Sequence, residues 1–169
     1  RNTYIVFMLS ENRKNISIQT VVITVSTTRT EKTDLSGQII RDAFTAVDIP
    51  VVSLVIVRDD ISAIRTAVLE ALKTANCVVV NGGTGLTHDD CTIEAVAPLF
   101  QKTMDGFGEL FRMKSYEQVG NSVILSRASA GITNGRAIFC IPGSPKAVKL
   151  AVEEIIVPEL RHILTHAVQ

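Results

Sequence analysis

The sequence predicts an α/β protein in three layers, with a mostly parallel open sheet and helices on both faces. Short β-branched runs alternate along the 169 residues with segments in which apolar residues recur at helical spacing, as in βαβ units. Hydrophobic residues make up 46% of the chain and aromatic residues only 5%, a composition typical of buried parallel strands. Most of the predicted strands lead into a helix, so we expect ligand-binding loops at the carboxyl edge of the sheet.

The first half of the chain contains three predicted strands and two predicted helices. The strands occupy residues 20–26, 51–57 and 77–80, and the third ends at Asn81. Asp34 or Ser36 caps the first helix, which Pro50 ends, and Asp59 with Asp60 opens the second. The apolar helix faces consist of Ile40, Phe44 and Val47 in the first and of Ile61, Ile64, Val68 and Leu72 in the second.

The second half is less regular. A helix is predicted from near Asp90 or Thr92 to about Ala97, and another over residues 107–116. Residues 119–131 fit a strand or a helix equally well. Asn134 and Gly135 predict a turn before a late strand at residues 137–141. Ser144 then caps a helix that begins with Pro145 and runs to about Val157, and Pro158 begins a short terminal helix.

The chain is predicted to be one domain over residues 20–169, preceded by an N-terminal extension at residues 1–19. The extension contains an apolar run at residues 4–9 and is expected to be either disordered or an edge strand that docks on a partner subunit. Three cysteines without CxxC spacing argue against a disulfide framework and favour a reducing, cytoplasmic location, with Cys77 and Cys140 filling the core. A formal net charge of +0 argues against nucleic-acid binding, and no apolar run is long enough to predict a membrane helix.

The loop after the third strand has the strongest local signal for a ligand. It reads Gly82, Gly83, Thr84, Gly85. Consecutive backbone N–H groups in a Gly-rich turn can hold an anion, and a helix that begins near Thr92 would add its positive dipole end. A phosphate is therefore the expected ligand, although a tight turn without a ligand remains the alternative. The loop is not a Walker A motif, because no Lys-Ser or Lys-Thr follows it.

Acidic residues lie close to this predicted phosphate site. Asp89 and Asp90 belong to the same loop, and Asp59 and Asp60 end the neighbouring strand. Carboxylates repel a phosphate unless a cation lies between them, so the pattern suggests a nucleotide bound with Mg²⁺. The alternative is that these acids only complement helix dipoles, and it weighs most for Asp60 and Asp89.

Two further patterns are weaker. Pro142, Gly143, Ser144 and Pro145 join a strand to a helix and form either a second anion site or a helix cap. His162 and His166 have the spacing of a two-histidine metal pair on a helix, but without an evident third ligand we expect a solvated helix face. His88 lies in the Gly-rich loop, where contact with substrate is possible.

Taken together, these motifs resemble the MoaB/Mog family of molybdopterin adenylyltransferases, whose fold also occurs in a domain of gephyrin. The resemblance extends from about Thr20 to about His166. It depends on seven short stretches in a fixed order. They are Ser26-Thr27-Thr28-Arg29, Asp34-Leu35-Ser36-Gly37, Asp59-Asp60, Gly82-Gly83-Thr84-Gly85 with Asp90 and Thr92, Gly106-Phe107-Gly108-Glu109, Leu125-Ser126-Arg127-Ala128 and Pro142-Gly143-Ser144-Pro145.

The resemblance implies Mg²⁺- and ATP-dependent adenylylation of molybdopterin, in which the pterin's terminal phosphate attacks the α-phosphorus of ATP and pyrophosphate leaves. It implies that Asp59 and Asp90 hold Mg²⁺ or position the nucleotide, together with Ser26 and Gly82. The residues that it implies for substrate binding are Gly82, Gly83, Thr84, Gly85, Thr92, Gly108, Glu109, Ser126, Pro142, Gly143, Ser144 and Pro145. It also implies a homotrimer or hexamer, and possible contacts with other proteins of molybdenum-cofactor assembly.

One departure from the family leaves two alternatives open. The first loop of the family often has an acid after the serine, whereas this chain has Thr27. The alternatives are a non-catalytic molybdopterin-binding protein of the same fold and a nucleotide pyrophosphatase similar to the competence-damage proteins. The Thr87-His88-Asp89-Asp90 stretch resembles the latter proteins, and the Gly-Phe-Gly-Glu element favours MoaB/Mog.

Overall fold

The computed structural model of the protein describes residues 15–169 and places six strands in one sheet. The strands are β1 (Thr20–Val25), β2 (Val51–Val57), β3 (Cys77–Asn81), β4 (Lys102–Thr103), β5 (Ser129–Thr133) and β6 (Arg136–Ile141). Their order across the sheet is β2-β1-β3-β6-β5-β4. β2, β1, β3 and β6 are parallel, while β5 and β4 are each antiparallel to the strand before them in that order. The predicted open, mostly parallel sheet is confirmed, with an antiparallel end.

Six α-helices cover the two faces of the sheet. They are α1 (Leu35–Thr45), α2 (Ile61–Thr74), α3 (Thr92–Val96), α4 (Asp105–Val119), α5 (Pro145–Ala151) and α6 (Val157–Ala167). Short 3₁₀ turns follow α3 at Ala97–Leu99 and α4 at Gly120–Leu125.

Alternation along the strands creates two cores, one on each face. Val22 and Val79 point to a core with Phe44 of α1, Phe107 of α4 and Leu160 of α6. Val21, Ile23 and Val78 point the other way, against Ile64 of α2 and Val96 of α3. Because side chains on successive strand residues face opposite sides, runs that are apolar at every position bury both faces. This arrangement is the predicted three-layer architecture.

Three local features correct or complete the predictions from sequence. The first helix ends at Thr45, where Asp48 with a φ of 59° turns the chain, so Val47 lies beyond the helix and is exposed rather than part of its apolar face. The ambiguous stretch 119–131 contains a 3₁₀ turn and the start of β5. The helix that begins at Pro145 continues through a π-helical turn at Val152–Ile156 into α6. This turn accommodates Pro158, which cannot donate a hydrogen bond inside a regular α-helix.

The described part of the predicted extension packs on the domain. Ile18 is buried in the core, and Arg161 of α6 donates a 2.7 Å hydrogen bond to the carbonyl oxygen of Ile16. The apolar run at residues 4–9 lies outside the described residues. Within residues 15–169, no helix is both long and apolar enough to cross a membrane.

Candidate functional site

The carboxyl ends of the four parallel strands meet at one edge of the sheet. Val25 of β1 lies beside Val57 of β2, and Asn81 of β3 lies between Thr24 of β1 and Ile141 of β6. The loops that follow these strands therefore converge. They form a shallow polar cleft of about 470 Å³ lined by Val25, Ser26, Thr27, Thr28, Arg29, Asp59, Gly82, Gly83, Asp89 and Gly143.

The Gly-rich loop forms the floor of this cleft. Gly82 has a φ of 97° and Gly83 a φ of 65°, which are conformations that L-residues with side chains rarely adopt. A Cβ on Gly82 would also overlap the carbonyl oxygen of Val25. Among the described residues, the N–H groups of Gly83, Thr84 and Gly85 donate to no acceptor. Of these three residues Gly83 lines the cleft, and its unpaired amide is available to the predicted anion.

The helix that follows the loop differs from the prediction in one respect. α3 has only five residues, so it has little macrodipole to offer a phosphate. The N–H of Thr92 already donates to the carbonyl oxygen of Gly83 at 3.0 Å, and its buried hydroxyl donates to that of Gly82 at 2.7 Å. Both hydrogen bonds of Thr92 therefore fix the conformation of the Gly-rich loop. An anion would be bound by the unpaired amides of the loop and not by the N–H of Thr92.

Asp59 lies at the rim of the cleft, directly after β2. Its Oδ2 accepts a 2.7 Å hydrogen bond from the hydroxyl of Thr27, which stands at the end of β1. Its Oδ1 lies on the side of Gly83, 3.5 Å from where a Cβ would be. The structure thus brings Asp59 and the Gly-rich loop together, as the sequence predicts.

Asp90 is placed differently from Asp59. Its Oδ2 accepts hydrogen bonds from the backbone N–H and the hydroxyl of Thr87, so this oxygen closes a turn within its own loop. Asp89, and not Asp90, lines the cleft. Asp60 caps α2 by accepting from the N–H of Ala63 at 2.8 Å, which agrees with the helix-capping alternative for that residue.

The Cys91 thiol is surrounded by several of these acids. Burial raises the pKa of the Cys91 thiol, and the carboxylates of Asp59, Glu94, Asp60 and Asp90 raise it further, with Asp59 contributing most among them. Asp59 and Asp90 are therefore both within electrostatic reach of the same side chain.

A buried polar network supports the cleft from the other side. Asp34 caps α1 through the N–H of Gly37 at 3.0 Å and accepts a 2.6 Å hydrogen bond from Thr24. It also pairs with Arg29 at 3.8 Å. Arg29 donates to the carbonyl oxygen of Gly143 at 3.3 Å and lines the cleft. The guanidinium is therefore held at the cleft by a buried carboxylate.

The last of the converging loops approaches the Gly-rich loop closely. A Cβ on Gly143 would lie 3.0 Å from the Cα of Gly82, so two backbones meet here without a side chain between them. The hydroxyl of Ser36 donates to the carbonyl oxygen of Gly143 at 2.7 Å. Ser144 caps α5 by accepting from the N–H of Ala147, with Pro145 as the first helical residue, as predicted. Pro142 joins β6 to this turn and is half-buried.

This arrangement can hold a phosphorylated ligand together with a hard cation. Unpaired amides and the Arg29 guanidinium favour phosphate oxygens. The carboxylates of Asp59 and Asp89 and the hydroxyl of Thr27 supply only oxygen ligands, which suit Mg²⁺. Within residues 15–169, no group of three or more His, Cys, Asp or Glu side chains is placed to hold a metal. A cation at this cleft would therefore need oxygens of the phosphate itself.

Comparison with known proteins gives one consistent result. The sequence profile of a family described as a probable molybdopterin binding domain matches residues 21–162. The chain belongs to the MoaB/Mog family. Molybdenum cofactor biosynthesis protein B of Staphylococcus aureus (strain COL) is 47% identical over 154 residues, which cover 89% of this chain and 92% of that protein. The protein of the same name from Bacillus subtilis (strain 168) is 44% identical over 146 residues, covering 85% and 86%.

A solved structure agrees with this assignment. The tungsten cofactor synthesizing protein MoaB from Pyrococcus furiosus superimposes with a TM-score of 0.83 at 42% identity, covering 92% of this chain and all of that one. The predicted MoaB/Mog fold and family are thereby confirmed.

Ser126 and Arg127 join another family motif to the Gly-rich loop. Arg127 donates through its backbone N–H to the carbonyl oxygen of Thr84 and through Nε to that of Gly85, at 3.2 and 2.9 Å. It also forms an ion pair with Glu94, and this hydrogen bond lowers the pKa of that carboxyl. The hydroxyl of Ser126 accepts from the N–H of Ala128 at 3.4 Å. The hydrogen bonds of Arg127 therefore fix the carbonyl groups of Thr84 and Gly85 in the Gly-rich loop.

Glu109 and Gly108 lie on α4, next to this segment. Arg112 of the same helix donates to the carbonyl oxygens of Ser126 and Ala128 at 3.4 and 3.1 Å. Gly108 is buried where a Cβ would collide with the Ala128 carbonyl, while Glu109 is exposed. The contacts between α4 and the loop involve Arg112 and not Glu109, so the role of Glu109 toward substrate stays a prediction.

Sequence reasoning missed two arginines at this MoaB/Mog site. Arg29 and Arg127 both lie within family motifs, but the sequence alone does not show where a long side chain ends. Arg29 reaches a carbonyl 114 residues away, and Arg127 reaches one 42 residues away. The signal available in the sequence was the presence of these cationic residues in motifs predicted to lie near the phosphate-binding loop. His88 is exposed in the loop, and the structure adds nothing to its predicted contact with substrate.

Proposed function

We propose that this chain acts in molybdenum-cofactor biosynthesis, binding molybdopterin and catalysing its adenylylation with ATP and Mg²⁺. The proposal depends mainly on one observation, namely that Gly83, whose amide is unpaired, and Asp59 line the same cleft. The relatives are named for cofactor biosynthesis, and the matching family is described as molybdopterin-binding, which supports the choice of substrate.

In the proposed reaction, an oxygen of the pterin's terminal phosphate forms a bond to the α-phosphorus of ATP. The bond between that phosphorus and the bridging oxygen to the β-phosphate breaks, and pyrophosphate leaves. No covalent bond to the protein is required, so catalysis consists of positioning two anions and offsetting their repulsion. The loop amides and Arg29 bind phosphate oxygens, while Thr27 orients Asp59 through its hydrogen bond. Mg²⁺ held at Asp59, with Asp90 nearby, would supply charge neutralisation at the transferred phosphoryl group.

Turnover with molybdopterin, ATP and Mg²⁺ tests this function directly. Asp59→Asn and Asp90→Asn should each fold normally, with the midpoint of urea unfolding close to that of the wild type. Each should lower the rate of pyrophosphate release by at least about a hundredfold, on the scale of lost electrostatic stabilisation in other enzymes. Asp48→Asn, a change at an exposed turn on the far side of β2, is the matched control and should retain the wild-type rate.

Wild-type rates in both site variants would refute the proposed mechanism. A second candidate, a non-catalytic molybdopterin-binding protein, is favoured by Thr27, which lines the cleft at the position where the family often has an acid. It predicts saturable molybdopterin binding by calorimetry with no AMP transfer under any divalent metal. Hydrolysis of dinucleotide substrates without a pterin would instead indicate the pyrophosphatase.

A further inference from the structure

Two histidines near the end of α6 direct their ring nitrogens at one another. The Nε2 atoms of His162 and His166 lie 3.0 Å apart, and their ring centroids lie 4.8 Å apart with an angle of 59° between the planes. The pair is remote in sequence from every residue that lines the candidate cleft. The proposed adenylylation makes no use of it.

The two distances describe rings that converge on a common point. Two imidazoles bound at about 2.05 Å to one octahedral or square-planar ion, with an angle of about 95° at the ion, would place their Nε2 atoms about 3.0 Å and their centroids about 4.7 Å apart. A linear N–H···N hydrogen bond of the same length would instead separate the centroids by about 5.3 Å. The observed spacing matches the first geometry.

Glu159 sets the protonation of one ring in the form that a metal ion requires. Its Oε2 lies 3.2 Å from Nδ1 of His162, and a carboxylate at this distance favours the tautomer with the ring proton on Nδ1. The lone pair of Nε2 therefore faces His166. A carboxylate behind a histidine is the usual arrangement that orients a metal-binding imidazole and raises its basicity.

The surroundings leave room for a bound ion and its remaining ligands. Both histidines line a cavity of about 540 Å³ between α6 and the edge strand β4, together with Gln101 and Thr103. His166 stands in the last turn of α6, where the negative end of the helix dipole favours a cation. Lys102 also lines this cavity and is exposed.

We propose that His162 and His166 form a binding site for a divalent first-row transition ion, with water in the other coordination positions. Two neutral imidazoles select Cu²⁺, Ni²⁺ and Zn²⁺ over Mg²⁺. The site is thus distinct in chemistry from the oxygen-lined cleft. On binding, the second ring takes the tautomer with its proton on Nδ1, and no other change of protonation is needed.

Calorimetric titration of the full chain with Ni²⁺, in excess Mg²⁺ to occupy oxygen ligands, tests the site. One ion should bind per chain, and His162→Gln and His166→Gln should each weaken binding at least tenfold. His88→Gln removes the third histidine of the chain and is the matched control, so it should bind Ni²⁺ as the wild type does. Electron paramagnetic resonance of the Cu²⁺-loaded protein should show coupling to two nitrogen atoms, reduced to one in either site variant.

Unchanged Ni²⁺ affinity in both site variants would overturn the proposal, as would the absence of binding to the wild type at millimolar Ni²⁺. Coupling to a single nitrogen in the wild-type Cu²⁺ spectrum would have the same consequence. Urea unfolding without metal shows whether the variants are folded, since both side chains lie at the surface or only partly covered. Failure here leaves the adenylylation proposal untouched, because the two experiments share no residue.

Discussion

The hydroxyl of Thr27 donates a 2.7 Å hydrogen bond to the carboxylate of Asp59, which joins the ends of β1 and β2 at the rim of the cleft. The backbone N–H of Asp59 lies 3.4 Å from the same hydroxyl oxygen, so the two residues contact each other twice. Where the family often has a second acid, this chain has a neutral donor. Asp59 is thereby oriented without an additional negative charge beside the proposed nucleotide.

Replacing Thr27 by Val should slow adenylyl transfer by roughly tenfold to a hundredfold, because a hydrogen bond to a charged group contributes about 1.5–3 kcal/mol. The measurement is the steady-state rate of pyrophosphate release. Thr27→Ser keeps the hydroxyl and should retain most of the rate. A Thr27→Val enzyme as fast as the wild type would show that this hydrogen bond does not position Asp59 for the reaction.

Substituting Ala for Gly82 should destabilise the protein by about 2–4 kcal/mol, since it combines a positive φ with a steric collision at the Val25 carbonyl. The check is the free energy of unfolding in urea. Gly106→Ala is the matched control, because a Cβ there meets no atom within 4 Å, and it should change stability by less than about 1 kcal/mol. Equal stability of the two variants would contradict the strained loop.

The ion pair of Glu94 and Arg127 should make stability depend on pH in a defined direction. Arg127 lowers the pKa of Glu94 in the folded protein, so the stabilisation is complete above the unfolded pKa and is lost as the pH falls through the lower folded value. Glu94→Gln should cost up to about 1 kcal/mol at pH 7, because the pair is partly exposed, and less near pH 3, where more of the Glu94 carboxyl is protonated.

Urea unfolding at the two pH values measures this difference. The exposed pair of Glu70 and Lys73 supplies the control, and Glu70→Gln should have a much smaller effect at pH 7. A Glu94→Gln penalty that does not shrink at low pH would assign its cost to packing rather than to charge.

The three cysteines should differ in their reaction with iodoacetamide. Burial raises the pKa of Cys77 and of Cys140 to about 12, so both should stay unmodified in the folded protein. Cys91 is accessible but slow, because burial and the Asp59 carboxylate raise its pKa. Asp59→Asn should speed its alkylation several-fold at pH 8, and Asp48→Asn should not. Mass spectrometry of the alkylated peptides distinguishes the sites, and equal rates in the two variants would contradict the electrostatic effect.

The local sequence pattern was sufficient to predict the parallel part of the sheet and its helices. The runs that became β1, β2 and β3 are apolar at nearly every position, and Asp34 and Ser144 cap helices where a short polar side chain precedes helical spacing. The antiparallel edge was not predictable in the same way. β4 has two residues, too few for alternation, and β5 reads SAGIT, whose small residues pack under the ring of Phe100 at Gly131.

The candidate site was also predictable only in part. The loops were found because Gly, Asp and Pro mark strand ends, whereas the contacts between loops depend on the register of the sheet. The sequence around Thr92 does not show that its hydroxyl would donate a hydrogen bond to the carbonyl oxygen of Gly82. Nor does local sequence show that one oxygen of Asp90 would be occupied by Thr87, three residues before it.

Asp34 has a consequence that reaches beyond the cleft. One carboxylate, almost fully inaccessible to solvent, is at once the cap of α1, the acceptor for Thr24 in the central strand and the counterion of Arg29. The start of α1, the anchoring of β1 and the position of the Arg29 guanidinium therefore depend on the same buried carboxylate. Loss of this one group would disturb the interior and the cleft together.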